Sequence, residues 1–175
     1  VNVSLGETWE ESSEKSDPAT LLTRRENYTS ARLPAGILYL TCGVDVQDDR
    51  LELEIVGWRQ TSRDEPPESW GVEYHVLRGD PARTAVWEQL DGILKGEWRT
   101  EEGRALRISA ACVDSGGHHT AQVYSFCEAR KGRHVYATKG LAGPRPVWSH
   151  KAGKSQKYKA QVWHIGVDTG KDAWY

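Results

Sequence analysis

Three strand-like segments follow one another with no helical pattern between them, and only after Leu77 does the periodicity change. Ile37–Val46 is apolar and β-branched and runs out at Gln47-Asp48-Asp49-Arg50, which reads as a hairpin turn. Leu51–Trp58 sets Leu51, Leu53 and Ile55 against Glu52 and Glu54, the period-two signature of an antiparallel strand with one buried face. Trp70–Leu77 reads as a third strand after a Pro66-Pro67 loop. Asp80-Pro81 then opens a helix in which Val86, Trp87, Leu90, Ile93 and Leu94 fall at helical spacing, with Gly96 in place of a C-cap. Leu106–Val113 is a continuous apolar run, as expected of a strand buried on both faces in a parallel position. Thr120 is expected to cap a helix running to about Ala129, followed by a strand at His134–Thr138. Residues 140–160 are expected to form a long loop or an exposed hairpin. Val162–Val167 reads as a last strand, and Asp168-Thr169 starts a terminal helix. A meander followed by an αβαβ order specifies a mixed α/β sheet rather than an alternating dinucleotide-binding unit.

Composition narrows the class. The chain has 175 residues, 38% of them hydrophobic, and a net charge of −2, which suits one globular domain and excludes disorder throughout. No apolar run approaches the roughly 20 residues of a membrane span, and no signal-peptide pattern opens the chain, so no membrane partner is expected. With no Met anywhere, the chain is expected to be a piece of something larger. Residues 1–35 begin acidic and Ser-rich and contain a short helical stretch near Pro18–Glu26, so they read as a linker leading into a folded domain at 36–175. Cys42, Cys112 and Cys127 are odd in number and form no CxxC, which fits buried reduced thiols rather than disulfides or a zinc site.

The charge is unevenly spread. Residues 1–102 hold 11 Lys and Arg against 21 Asp and Glu, whereas residues 103–175 hold 12 against 4. Between 130 and 159 there are nine basic residues and no acidic one, with Tyr136, Trp148 and Tyr158 interleaved. Such a stretch can follow a phosphate backbone, with Lys139, Arg145, Lys151, Lys154, Lys157 and Lys159 as the candidate contacts; a solvated basic face is the alternative.

Three aspartates share one context. Asp45, Asp114 and Asp168 each follow a Val where an apolar strand runs out. Ligands in open α/β sheets collect outside the carboxyl ends of strands, so these carboxylates can converge there. Oxygen donors of this kind suit Mg²⁺ or Mn²⁺, and two such ions can clamp the attacking and leaving oxygens of a phosphodiester. A single Asp in such a place is also a common turn former or N-cap. His118 and His119 follow Ser115-Gly116-Gly117 and read as polar groups beside the site or as DNA contacts, because no zinc-ligand spacing accompanies them. Gly153-Lys154-Ser155 resembles the end of a P-loop, but Trp148 stands where its first Gly must be. Ser115 lacks the surroundings of a nucleophile elbow.

The segments VSLGETWEE, RLPAGILYLTCGVDVQDDRLELEIVGW, AACVDSGGHHT, VYSFC, VYATKG and IGVDTGKDAWY together resemble the C-terminal nuclease domain of the large terminase subunit of lambda-like tailed phages. The resemblance covers nearly the whole chain and is least distinctive at about 60–105. It implies an RNase H-like fold and a metal-dependent endonuclease that cuts concatemeric double-stranded viral DNA during packaging, using two Mg²⁺ or Mn²⁺ ions. It implies Asp45 and Asp114 as the first two metal-binding carboxylates. Asp168 is favoured as the third over Asp172, one helical turn on, with Lys171 placed to neutralise or position a phosphate. The implied partners are a small terminase subunit, the portal of the procapsid and an ATPase motor in the same full-length chain, all acting in the host cytoplasm. A non-catalytic DNA-binding or motor-docking module of the same fold is the rival reading, and a resolvase-like nuclease is a third.

Overall fold

The computed structural model describes residues 18–23, 25–60, 62 and 65–174. The acidic start of the expected linker, residues 1–17, lies outside the described residues; Pro18–Thr23 forms a short helix, α1. The three expected strands are Tyr39–Val46 (β1), Arg50–Arg59 (β2) and Glu68–Arg78 (β3). They form an antiparallel meander whose first turn is closed by Gln47 N–H donating to the Arg50 carbonyl at 3.0 Å. Helix α2 spans Thr84–Leu94. It starts later than the sequence suggests, because Asp80 Oδ1 instead accepts the Ala82 N–H at 2.8 Å and turns the chain outside the helix.

Two elements escape the sequence patterns. Trp98–Arg99 (β4) and Ala105–Leu106 (β5) pair as a separate hairpin, too short to show a period. The strand expected over Leu106–Val113 is therefore Ile108–Asp114 (β6). It lies between two parallel neighbours, as expected, but only one of its faces is buried: Ala111 and Val113 face the core while Ser109 is exposed. Helix α3, Thr120–Glu128, is followed by Val135–Leu141 (β7), Gly153–Lys154 (β8), Gln161–Gly166 (β9) and helix α4, Val167–Trp174. Thr120 does not cap α3. Its hydroxyl donates to the Ser115 and Gly117 carbonyls at 3.0 and 2.8 Å, and His119 occupies the N-cap position.

The main sheet has the order β3-β2-β1-β6-β7-β9-β8, with β1, β6, β7 and β9 parallel and the rest antiparallel. A mixed seven-stranded sheet flanked by helices is an RNase H-like architecture. Residues 140–160 are a hairpin-like return: Trp148 bridges to Ile165, and β8 pairs with β9. Gly166 permits this return, since a Cβ there would lie 2.6 and 2.7 Å from the Pro146 and Arg145 carbonyl oxygens.

One face of the sheet makes the core. Cys42, Val44, Leu51, Leu53, Ile55, Ala111, Val113, Val135 and Ala137 pack against Val86, Trp87 and Leu90 of α2 and Val123, Phe126 and Cys127 of α3. Their alternate positions put Thr41, Gly43, Asp45, Glu52, Glu54, Cys112 and Asp114 on the opposite face. No described helix is long and apolar enough to cross a membrane.

The cysteines are free. Burial pushes the Cys42 and Cys127 thiols up to about 12 and the Cys112 thiol up to about 11. Thiolate, the reactive form, is therefore scarce at neutral pH. A disulfide exchange reagent at pH 8 is expected to titrate none of the three rapidly in the folded chain and all of them in denaturant. Fast native-state labelling would contradict this burial.

Candidate functional site

The site begins at the carboxyl ends of β1 and β6. Gly43 pairs with Cys112 and Val44 with Val113 in parallel register, so Asp45 and Asp114 fall side by side on the next rung. Both point away from the core, and adjacent strands hold such positions about 4.8 Å apart. Among the described residues neither carboxylate has an ion-pair partner. Asp45 accepts a hydrogen bond from the Gln47 side-chain amide, and Asp114 Oδ1 accepts the Gly116 N–H at 3.2 Å.

Buried hydroxyls hold the end of β6 in place. Ser115 N and Oγ both donate to the Thr138 carbonyl, at 2.8 and 2.7 Å, and Thr138 Oγ1 donates to the Val113 carbonyl at 3.2 Å. Because Asp114 pairs with Thr138, this lock fixes the rung from which Asp114 projects. On the other side, Glu52 pairs directly with Asp45 across β1 and β2. Hydrogen bonds from Tyr74 and Arg50, the latter at 2.5 Å, hold the Glu52 carboxyl below the usual carboxylate range, so it remains an anion beside Asp45. Gln47 and Glu52 are the neighbours that sequence reasoning missed. The signal was present: a turn at 47–50 places Val46 opposite Leu51 and hence Asp45 opposite Glu52.

The structure separates the other candidates from this pair. Asp168 sits in the first turn of α4, two strands beyond β6 in the sheet order, and its Oδ2 accepts the Gly143 N–H at 2.6 Å. Asp172 and Lys171 are exposed farther along α4. Among the described residues no three His, Cys, Asp or Glu side chains lie close enough together to hold a metal ion. Nδ1 of His118 lies 3.0 Å from Asp48 Oδ1, linking the β6–α3 loop to the β1–β2 turn above the pair; His119 is half-buried at the start of α3.

The basic stretch divides in two. Arg130 and Arg133 bind Asp91, and Lys131 binds Glu128. Lys139, Arg145, Lys151, Lys154, Lys157 and Lys159 are exposed and, among the described residues, have no ion-pair partner. The six candidate phosphate contacts are thus the six whose charge is not already neutralised.

A family model described as "Terminase large subunit gpA, endonuclease domain" matches residues 1–175. The chain is 30% identical over 177 residues to the terminase large subunit of Enterobacteria phage P21 and 30% identical over 184 residues to that of Escherichia phage lambda. Each match covers all of this chain and 26% of the relative, so the chain spans about a quarter of the length of these proteins. No solved structure matches it. With a match along its full length and two relatives of the same kind, the chain belongs to the family of the terminase large subunit gpA endonuclease domain.

Proposed function

We propose that the chain is a metal-dependent endodeoxyribonuclease that hydrolyses concatemeric double-stranded DNA during viral DNA packaging. The observation that carries this reading is the Asp45–Asp114 pair: two carboxylates on adjacent strand ends with no countercharge among the described residues. Like charges so close repel unless a cation lies between them, and hard oxygen donors suit Mg²⁺ or Mn²⁺. Held by Asp45 and Asp114, such ions would supply activation of the attacking water and charge stabilisation of the leaving 3′ oxygen.

The remaining steps belong to the chain itself. Asp45 and Asp114 would hold the cations; the third carboxylate that the resemblance implies, Asp168 or Asp172 one turn later, stands apart from them with Asp168 turned to Gly143, and would have to approach when the ions bind. The Gln47 amide orients Asp45, and the Ser115–Thr138 lock orients Asp114. Lys139, Arg145, Lys151, Lys154, Lys157 and Lys159 hold the duplex through its phosphates, which positions DNA without reading its sequence. His118, His119 and Lys171 lie beside that path. Residues 36–175 form the nuclease unit behind a linker from an ATPase domain. A small terminase subunit and the portal direct it to its cut site in the host cytoplasm.

A plasmid-nicking assay tests the reading. Cutting is expected with Mn²⁺ or Mg²⁺ and none with EDTA; a plasmid that is bound but left intact under every condition would instead make this a binding module. Preference for branched over linear DNA would support a resolvase-like enzyme. Binding is also expected to weaken steeply with salt. Lys151→Gln and Lys154→Gln should each reduce affinity evenly across sequences and flatten the slope of log affinity against log salt by about 1. An unchanged slope in both would remove these residues from the interface.

A further inference from the structure

One surface feature has no part in the hydrolytic scheme. Trp148 and Trp163 stack with ring centroids 5.2 Å apart at 27°, and Tyr136 meets both edge-on at 6.2 and 5.9 Å. Register places this cluster relative to the carboxylates. Asp114 pairs with Thr138, and Thr138 pairs with Trp163, so Asp114 and Trp163 stand on one row and one face of the sheet. Two strand spacings separate them, about 10 Å, or about three nucleotides of a stacked strand at about 3.4 Å each.

The cluster is not closed over. Trp148 is 39% exposed on the face opposite α2 and α3, and it makes no second stacked contact among the described residues. Between Glu128 and Asp168 the chain has no acidic residue, while Arg145 and Lys151 stand three residues before and after Trp148 and Lys154 pairs with Gln161, two residues before Trp163, all exposed and without an ion-pair partner among the described residues. An open aromatic face inside an acid-free, cationic stretch suits a flat ligand carrying negative charge, which a nucleotide base and its phosphate supply.

We propose that Trp148, backed by Trp163 and Tyr136, is a stacking platform for an unpaired base of the DNA strand that crosses the sheet to Asp45 and Asp114. The double-stranded DNA taken at the site is then opened locally, with a base unstacked a few nucleotides from the cut. This rests on the nuclease reading for its relation to cleavage, but its test does not require cleavage.

The test measures affinity for a short oligothymidylate and for a blunt duplex of equal length, both in EDTA, for the wild type, Trp148→Leu and Trp148→Phe. Leu keeps apolar cover over Trp163 and removes the ring; Phe keeps a ring. Trp148→Leu is expected to weaken oligothymidylate binding roughly 5- to 150-fold, the range that stacking carries per base, and to leave duplex binding within about twofold. Trp148→Phe should recover most of the loss. An unchanged oligothymidylate affinity, an equal loss on both DNAs, or a Phe variant no better than Leu would each overturn the platform. A chain that fails to cut plasmid but shows the Trp148 pattern would sink the nuclease reading and leave the platform standing.

Discussion

In Asp45→Asn and in Asp114→Asn, metal-dependent nicking is expected to fall by on the order of 10²–10³-fold, the range lost when one preorganised electrostatic group is removed from an active site. Binding of the same plasmid at the same salt should not weaken. The substitutions keep side-chain size and remove one charge from a pair that no basic side chain among the described residues neutralises. Asp45 is exposed and Asp114 half-buried at a strand end, so neither change opens a cavity. In the proposed reading, DNA retention rests on the six exposed basic residues instead. Nicking in Mn²⁺ run beside a gel shift separates the two properties. Full activity in both variants would remove the pair from the chemistry. Asp168→Asn and Asp172→Asn in the same assay identify the third carboxylate by which of them loses activity.

Asp91→Ala is expected to destabilise the fold by about 2–3 kcal/mol, since removing one partner of a largely buried pair leaves the others uncompensated. For a chain of this size the Tm should drop by roughly 5–10 °C. The Asp91 side chain is 13% exposed and receives Arg130 Nε at 2.6 Å, Lys95 Nζ at 2.6 Å and Arg133, joining α2 to the segment after α3. Arg130 also lies over the Phe126 ring at 3.9 Å, so its position carries into the core. Burial alone would raise the Asp91 carboxyl; the hydrogen bonds from Arg130, Lys95 and Arg133 outweigh it and hold the group well below the usual carboxylate range. A depressed folded-state value contributes stability above the unfolded value near 3.9 and loses it as pH falls toward the folded one. The wild type should therefore lose this contribution below about pH 4, and the gap between wild type and Asp91→Ala should narrow there. A gap that stays constant down to pH 2 would contradict that linkage.

Much of this was legible without coordinates. Leu51, Leu53 and Ile55 alternate with Glu52 and Glu54 because a pleated strand sends successive side chains to opposite faces, and the structure buries the first set. The αβαβ order after the meander yields the parallel half of the sheet. The β4–β5 hairpin was not legible, because two-residue strands carry no period and are held by remote partners. Leu33 N–H donates to the Arg99 carbonyl at 2.9 Å, and Arg104 donates to the Ala35 and Ile37 carbonyls at 2.7 Å. Nor did the apolar run before Asp114 reveal that one face of β6 stays open, since apolarity does not say which neighbours arrive.

For the site, the sequence by itself determined which residues stand where strands end: Asp45, Asp114 and Asp168 each close an apolar run, and local propensity is enough to mark that boundary. Only the tertiary structure decided which of them meet. Strand neighbours are chosen by burial of distant apolar faces, and that choice sets β6 beside β1 while β7 and β9 lie beyond, so Asp45 and Asp114 share a rung and Asp168 turns to Gly143. The same sheet gathers Tyr136, Trp148 and Trp163 from three separate segments into one cluster, because the parallel β7–β9 register and the antiparallel bridge from Trp148 to Ile165 align residues that no spacing along the chain relates.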